Sequence, residues 1–94
     1  MEGSFVGLIM ERVYLVQSIY NTDKKGDSII DNYIFDSEKK AKIYFNLNIE
    51  LTKISFEYAD RKYKLYTEEN YAKIYNINDP DYNIIIQIKK LPIN

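Results

Sequence analysis

Cysteine, histidine and tryptophan are all missing from this 94-residue chain, and glycine and proline together fill only five positions. Without cysteine there can be no disulfide, no iron–sulfur cluster, no thiolate zinc site and no thiol nucleophile. Without histidine the chain lacks the side chain that most often serves as a general base near neutral pH and as a transition-metal ligand. Catalysis would have to rest on Asp, Glu, Lys, Tyr, Ser or Thr, and no cofactor or metal is expected. No apolar run approaches the roughly 20 residues that span a membrane. Phe5 to Met10 is apolar but short, follows Glu2 and leads to no Ala-x-Ala site, so residence in the cytoplasm of a bacterial host is the expectation. Charge of one sign is missing too. Thirteen basic against fourteen acidic residues leave a net charge of −1, which disfavours a dedicated nucleic-acid binder.

What is present is apolar and aromatic. Ile occurs 15 times, Lys 11, Tyr 10 and Asn 9, residues whose codons are built largely from A and T. An AT-rich genome, such as that of a low-GC bacterium or its phages and plasmids, is the simplest source. With 46% apolar residues the chain is no disordered tract, and its length makes one domain. The domain is placed at residues 10–94, with 1–9 as a leader or upstream start.

Val13 to Tyr20 is β-branched and aromatic, which predicts a first strand; Val13, Leu15 and Ile19 share one face, and Tyr14, Val16, Ser18 and Tyr20 the other. Asn21 to Asp27 has turn chemistry, and Ser28 to Phe35 returns as a second strand. Asp36, Ser37 and Glu38 then form a helix start. Tyr44, Leu47, Leu51, Ile54 and Tyr58 follow at spacings of three and four, broadened by Ala41 and Ile43. This pattern predicts a helix over about 37–60 with that stripe against the core, and Lys53–Glu57 and Glu57–Arg61 pairs outside. Leu51→Ala is accordingly expected to be severely destabilising.

Residues 62–78 admit a short helix capped at Thr67 or a strand from Tyr71 to Ile77 turning through Asn78–Asp81 into the last strand; the hairpin is preferred. Tyr82 to Lys90 forms that last strand, with Ile84, Ile86 and Ile88 facing the helix and Asn83, Ile85, Gln87 and Lys89 facing water. The expected fold class is α+β: a small, mostly antiparallel sheet of three to four strands with one long helix packed on one face.

The segment Phe35-Asp36-Ser37-Glu38-Lys39-Lys40-Ala41, a strand ending in Phe, a Ser or Asp cap and then acidic-x-x-Ala, resembles a module of small uncharacterised bacterial and phage proteins. The resemblance covers residues 11–50. It implies a ββα start and a mobile-element origin, and it carries over no functional residue.

Chemical motifs resolve mostly into structural ones. Lys24-Lys25-Gly26-Asp27-Ser28 has the wrong order for a phosphate-binding loop and lacks its first glycine. Asp79-Pro80-Asp81 with Asn76, Asn78 and Asn83 gathers oxygens but has no glycine for a Ca²⁺ loop. Glu50 and Glu57 would lie about 10 Å apart along the helix, as solvated carboxylates beside basic residues.

Arg61-Lys62-Tyr63-Lys64-Leu65-Tyr66 interleaves cations with aromatic rings, and Tyr71 follows closely. Tyrosine offers a large rigid contact area with a polar tip, the chemistry of interface hot spots. Arg61, Lys62, Tyr63, Lys64, Tyr66 and Tyr71 are therefore the candidate partner-binding residues. The expected function is a non-enzymatic protein-interaction module, a phage or mobile-element inhibitor that occludes a host defence protein in the manner of an anti-CRISPR. Alternatives are a nucleotide-sequestering protein with Arg61 or Lys62 on a phosphate, and an RNA-binding accessory. Ile-rich sheet edges also predict a homodimer.

Overall fold

A computed structural model describes residues 12–23 and 25–92. The proposed leader at residues 1–9 lies outside the described residues. Among them the chain forms five strands and one helix: β1 (Arg12–Asn21), β2 (Ile29–Phe35), α1 (Glu38–Tyr58), β3 (Tyr63–Glu68), β4 (Tyr71–Asn76) and β5 (Asp79–Pro92). The sheet is antiparallel throughout, in the order β2-β1-β5-β4-β3. The α+β class holds, with five strands instead of three to four. The added strand is β3, which pairs Tyr63 with Asn76 and Glu68 with Tyr71 across a tight turn at Glu69 and Asn70. Thr67 is thus a strand residue and caps no helix. The next turn sits at Ile77 and Asn78, earlier than the expected Asn78–Asp81. Pro80 is tolerated at the start of β5 because the ladder is irregular at Tyr75 and Asn76, where no amide is required of it.

α1 begins where Ser37, in an extended conformation, accepts a hydrogen bond from the Lys40 amide at 3.2 Å. It ends in a two-bond turn: the Asp60 amide donates to the Glu57 carbonyl and the Arg61 amide to the Phe56 carbonyl. Asp60 there has φ 56°, a left-handed conformation that costs a side chain other than glycine about 1–2 kcal/mol. Asp60→Gly should therefore raise stability by about 0.5–1 kcal/mol, since relief of that strain exceeds the extra entropy glycine loses on folding. A melting temperature below the parent's would contradict this.

The core forms between the sheet and α1 from Val16, Ile74, Ile86 and Ile88 below and Ala41, Phe45, Ile49 and Phe56 above. This corrects the expected helix register. Leu47, Leu51, Ile54 and Tyr58 point outward, with Leu51 53% and Tyr58 93% exposed; of the expected stripe and its broadening residues only Tyr44 and Ala41 reach the core. α1 carries two apolar stripes on nearly opposite sides, and the sheet takes the one with the phenylalanines. Ala41, with no exposed surface, lets the helix axis approach the sheet, and Phe56 lies edge-on to both Tyr63 and Tyr82 at 5.7 Å. The inward stripe is thus chosen by close approach and by aromatic rings that find partners on the sheet. The expected ion pairs shift as well. Lys53 turns back to Glu50 at 3.2 Å, while Glu57 accepts a hydrogen bond from the Tyr63 hydroxyl at 3.1 Å.

Candidate interaction surface

Strand register sorts every sheet side chain onto one of two faces, because paired residues in an antiparallel ladder share a face. One face lies under α1. On the other, no element packs among the described residues. Its side chains fall into rows across the strands. Asn32, Gln17, Gln87, Tyr71 and Glu68 form one row; Ile30, Ile19, Ile85, Lys73 and Tyr66 the next; Asn21, Asn83, Tyr75 and Lys64 the third. Ile34, Leu15 and Lys89 make a further row on the far side of the first.

The amide rows hold themselves together. Gln17 Nε2 donates to Asn32 Oδ1 at 3.0 Å, and Gln87 Nε2 donates to Gln17 Oε1 at 2.8 Å. Asn21 Nδ2 donates to Asn83 Oδ1 at 2.8 Å, and the Ser28 hydroxyl donates to Asn21 Oδ1. With their polar groups spoken for, these ladders fix strand register and frame an isoleucine row that water alone covers. Ile30 in that row is 51% exposed, and Ile34, beyond the glutamine row, 66%. Antiparallel sheets usually present polar side chains on a solvated face, so the aliphatic rows flanked by tyrosine make this face the candidate surface.

The six candidate residues divide between two places. Lys64, Tyr66 and Tyr71 come together on the uncovered face, where the Tyr66 and Tyr71 rings meet at 6.2 Å. The Tyr66 hydroxyl donates to Glu68 at 2.9 Å, and this bond to a carboxylate is the main reason its pKa lies above the usual phenol value. Arg61 and Tyr63 belong elsewhere. Tyr63 is half-buried against Phe56, and burial followed by its bond to Glu57 raises its pKa. The Arg61 guanidinium lies over the Tyr82 ring, 4.2 Å from its centroid, so both residues close the end of the core. Lys62 is exposed in the loop between them. Lys73 and Tyr75, which the sequence reading left out, join the face, as do Ile19, Ile30, Ile34 and Ile85. The two-residue alternation of β1, β4 and β5 already places the side chains of each strand on one side or the other, and in β5 it marks the side of Asn83, Ile85, Gln87 and Lys89 as the open one; it does not say which strands lie beside it.

Charge on this face is basic. Its charged positions within the paired register are Lys64, Lys73 and Lys89 against Glu68 alone. The aspartates gather at the sheet end instead, where Asp23, Asp27, Asp79 and Asp81 line an open depression of about 710 Å³ together with Arg61 and Tyr82. Four carboxylates around a single guanidinium repel a phosphate, which counts against seating a nucleotide on Arg61. At the same end Asn83 Nδ2 donates to the Pro80 and Asp81 carbonyls at 3.0 and 3.2 Å, and Asn76 Oδ1 accepts from the Asn78 amide at 3.1 Å. The asparagines thus serve the turn. No helix among the described residues is long and apolar enough to cross a membrane.

No protein-family model, no curated protein and no solved structure matches this chain.

Proposed function

We infer that this protein is a non-enzymatic interaction module that works by covering a partner protein, with the uncovered sheet face as its binding surface. The observation that carries this reading is the Ile30–Ile19–Ile85 row ending in Lys73 and Tyr66, framed by two hydrogen-bonded amide ladders. Its rigidity limits the ordering cost of association, and its tyrosines provide anchors of the hot-spot type. Three lysines against one glutamate suit a partner surface with an apolar centre and an acidic rim. An inhibitor of a host defence protein, encoded by a phage or mobile element, is the biological setting proposed for such an occluding surface.

Affinity capture from a low-GC bacterial lysate, with proteins and nucleotides both analysed in the eluate, is the test. A protein partner should be retained in high salt. Tyr66→Ala should weaken its binding about 30-fold, equivalent to about 2 kcal/mol, while the melting temperature stays at the parent value because Tyr66 is half-exposed. A second reading, single-stranded RNA, is favoured by the interleaving of Tyr66, Tyr71 and Tyr75 with Lys64 and Lys73. In that case Lys64→Glu and Lys73→Glu would matter as much as Tyr66→Ala, and affinity would fall steeply with salt. Such a complex, or a nucleotide absorbing at 260 nm that co-purifies, would overturn the protein-partner reading.

A further inference from the structure

Ile43, Leu47, Leu51, Ile54 and Tyr58 follow one another on α1 at spacings of four, four, three and four, and each is 49% or more exposed. The helix's polar flank points towards β3 and β4, where Lys42 Nζ donates to the Glu69 carbonyl and Glu57 meets the Tyr63 hydroxyl. Its other flank leans towards the edge strand β2, where Tyr44 packs on Tyr33 and Phe35 at ring distances of 4.8 and 5.3 Å. Tyr33, itself 45% exposed, thus extends the stripe sideways. With large side chains about half-exposed, the surface amounts to roughly 700 Å² of mostly apolar area. That exceeds the roughly 300–600 Å² of the largest apolar patch on a typical monomer and approaches the ~800 Å² each partner contributes to a stable complex.

We propose that a second copy of this chain occupies this stripe, α1 lying antiparallel on α1 about a twofold axis. The stripe and the net charge of its two halves are self-complementary in that orientation. Setting Leu47 opposite the second copy's Leu51 brings Ile43 opposite Ile54 and Lys40 opposite Tyr58, all within about 3 Å along the axis. In the same register Lys39 faces the second copy's Glu57, and twofold symmetry makes this contact twice. Lysines 39, 40 and 42 outweigh Glu38 in the first half of α1, where Lys40 also pairs with Asp36, and Glu50 and Glu57 outweigh Lys53 in the second. An antiparallel pair therefore joins opposite charges, whereas a parallel pair would stack lysine on lysine. The dimer buries the stripe and leaves both uncovered sheet faces free on its outside.

Sedimentation and light scattering on the whole chain test this. The parent should show twice the 11.2 kDa chain mass at micromolar concentration. Leu51→Glu should be monomeric with an unchanged far-ultraviolet circular dichroism spectrum, since Leu51 makes no core contact. Lys39→Glu and Glu57→Lys should each weaken the dimer about tenfold or more. The two together should restore it, an outcome that lost folding cannot mimic. A monomeric parent, the result if the stripe takes another protein or another segment of this chain, overturns the proposal. So does a dimer indifferent to Leu51→Glu, or a double reversal that fails to recover. The outcome is separable from the sheet-face reading, because Tyr66→Ala should leave the mass unchanged.

Discussion

Phe45→Ala is expected to remove about 3–5 kcal/mol of stability, most of what a domain of this size possesses. Phe45 is 3% exposed and lies in the middle of the buried helix face, between Ala41 and Ile49, directly over the sheet residues of the core. Truncation leaves a cavity that the surrounding strands cannot close, because the backbones of β1 and β5 are held in a ten-residue ladder. Leu51→Ala is the control. At concentrations too low for self-association it should change stability by about 0.5 kcal/mol or less, since its side chain is 53% exposed on the opposite side of the same helix. Urea unfolding followed by circular dichroism distinguishes the two. Equal losses would mean that α1 is rotated from the register described, with the leucine stripe inward.

A second large effect is expected at Asn83. It is 9% exposed, and its side chain ties the start of β5 to β1: the amide nitrogen holds the Pro80 and Asp81 carbonyls, while the oxygen accepts from Asn21 on β1. Asn83→Ala deletes these part-buried bonds and leaves their partners to water or unpaired, a loss of about 1–3 kcal/mol. Asn83→Asp preserves the shape but turns a donor into an acceptor facing two carbonyl oxygens, in a depression already lined by four aspartates. The new carboxyl should titrate above the ordinary aspartate range when folded, because its charged form is repelled there. A group whose folded pKa is raised contributes its stability below the unfolded pKa and loses it as pH rises through the folded one. The variant should thus lag well behind the parent at pH 7, and the gap should narrow as pH falls towards about 4. A gap independent of pH would show that the site does not sense charge.

Local elements are written into the residues that form them. Ser37 with Lys40 sets where the helix starts, and β-branched alternation defines β1, β2 and the core-facing Ile84, Ile86 and Ile88. Short-range signals of this kind arise from backbone sterics, capping bonds and neighbouring side chains, all of which are present in the segment itself. β3 was harder to see because its residues, Tyr63 to Glu68, mix charge, aromatic and aliphatic groups without clean alternation, and five of the six are exposed. An edge strand buries too little to impose a pattern.

Which face of α1 lies inside depends on contacts between distant segments. Periodicity reports that α1 has apolar stripes; it cannot rank Ala41, Phe45, Ile49 and Phe56 against Ile43, Leu47, Leu51, Ile54 and Tyr58. The choice falls to the first set because Phe56 finds Tyr63 and Tyr82 across the sheet and Ala41 permits close approach, contacts that join residues far apart in the chain. The same holds for the candidate site. Lys64, Tyr66 and Tyr71 were legible as a cluster since they are neighbours in one hairpin. Their union with Ile19, Ile30 and Ile85 depends on β5 lying between β1 and β4, a strand order that no local pattern encodes.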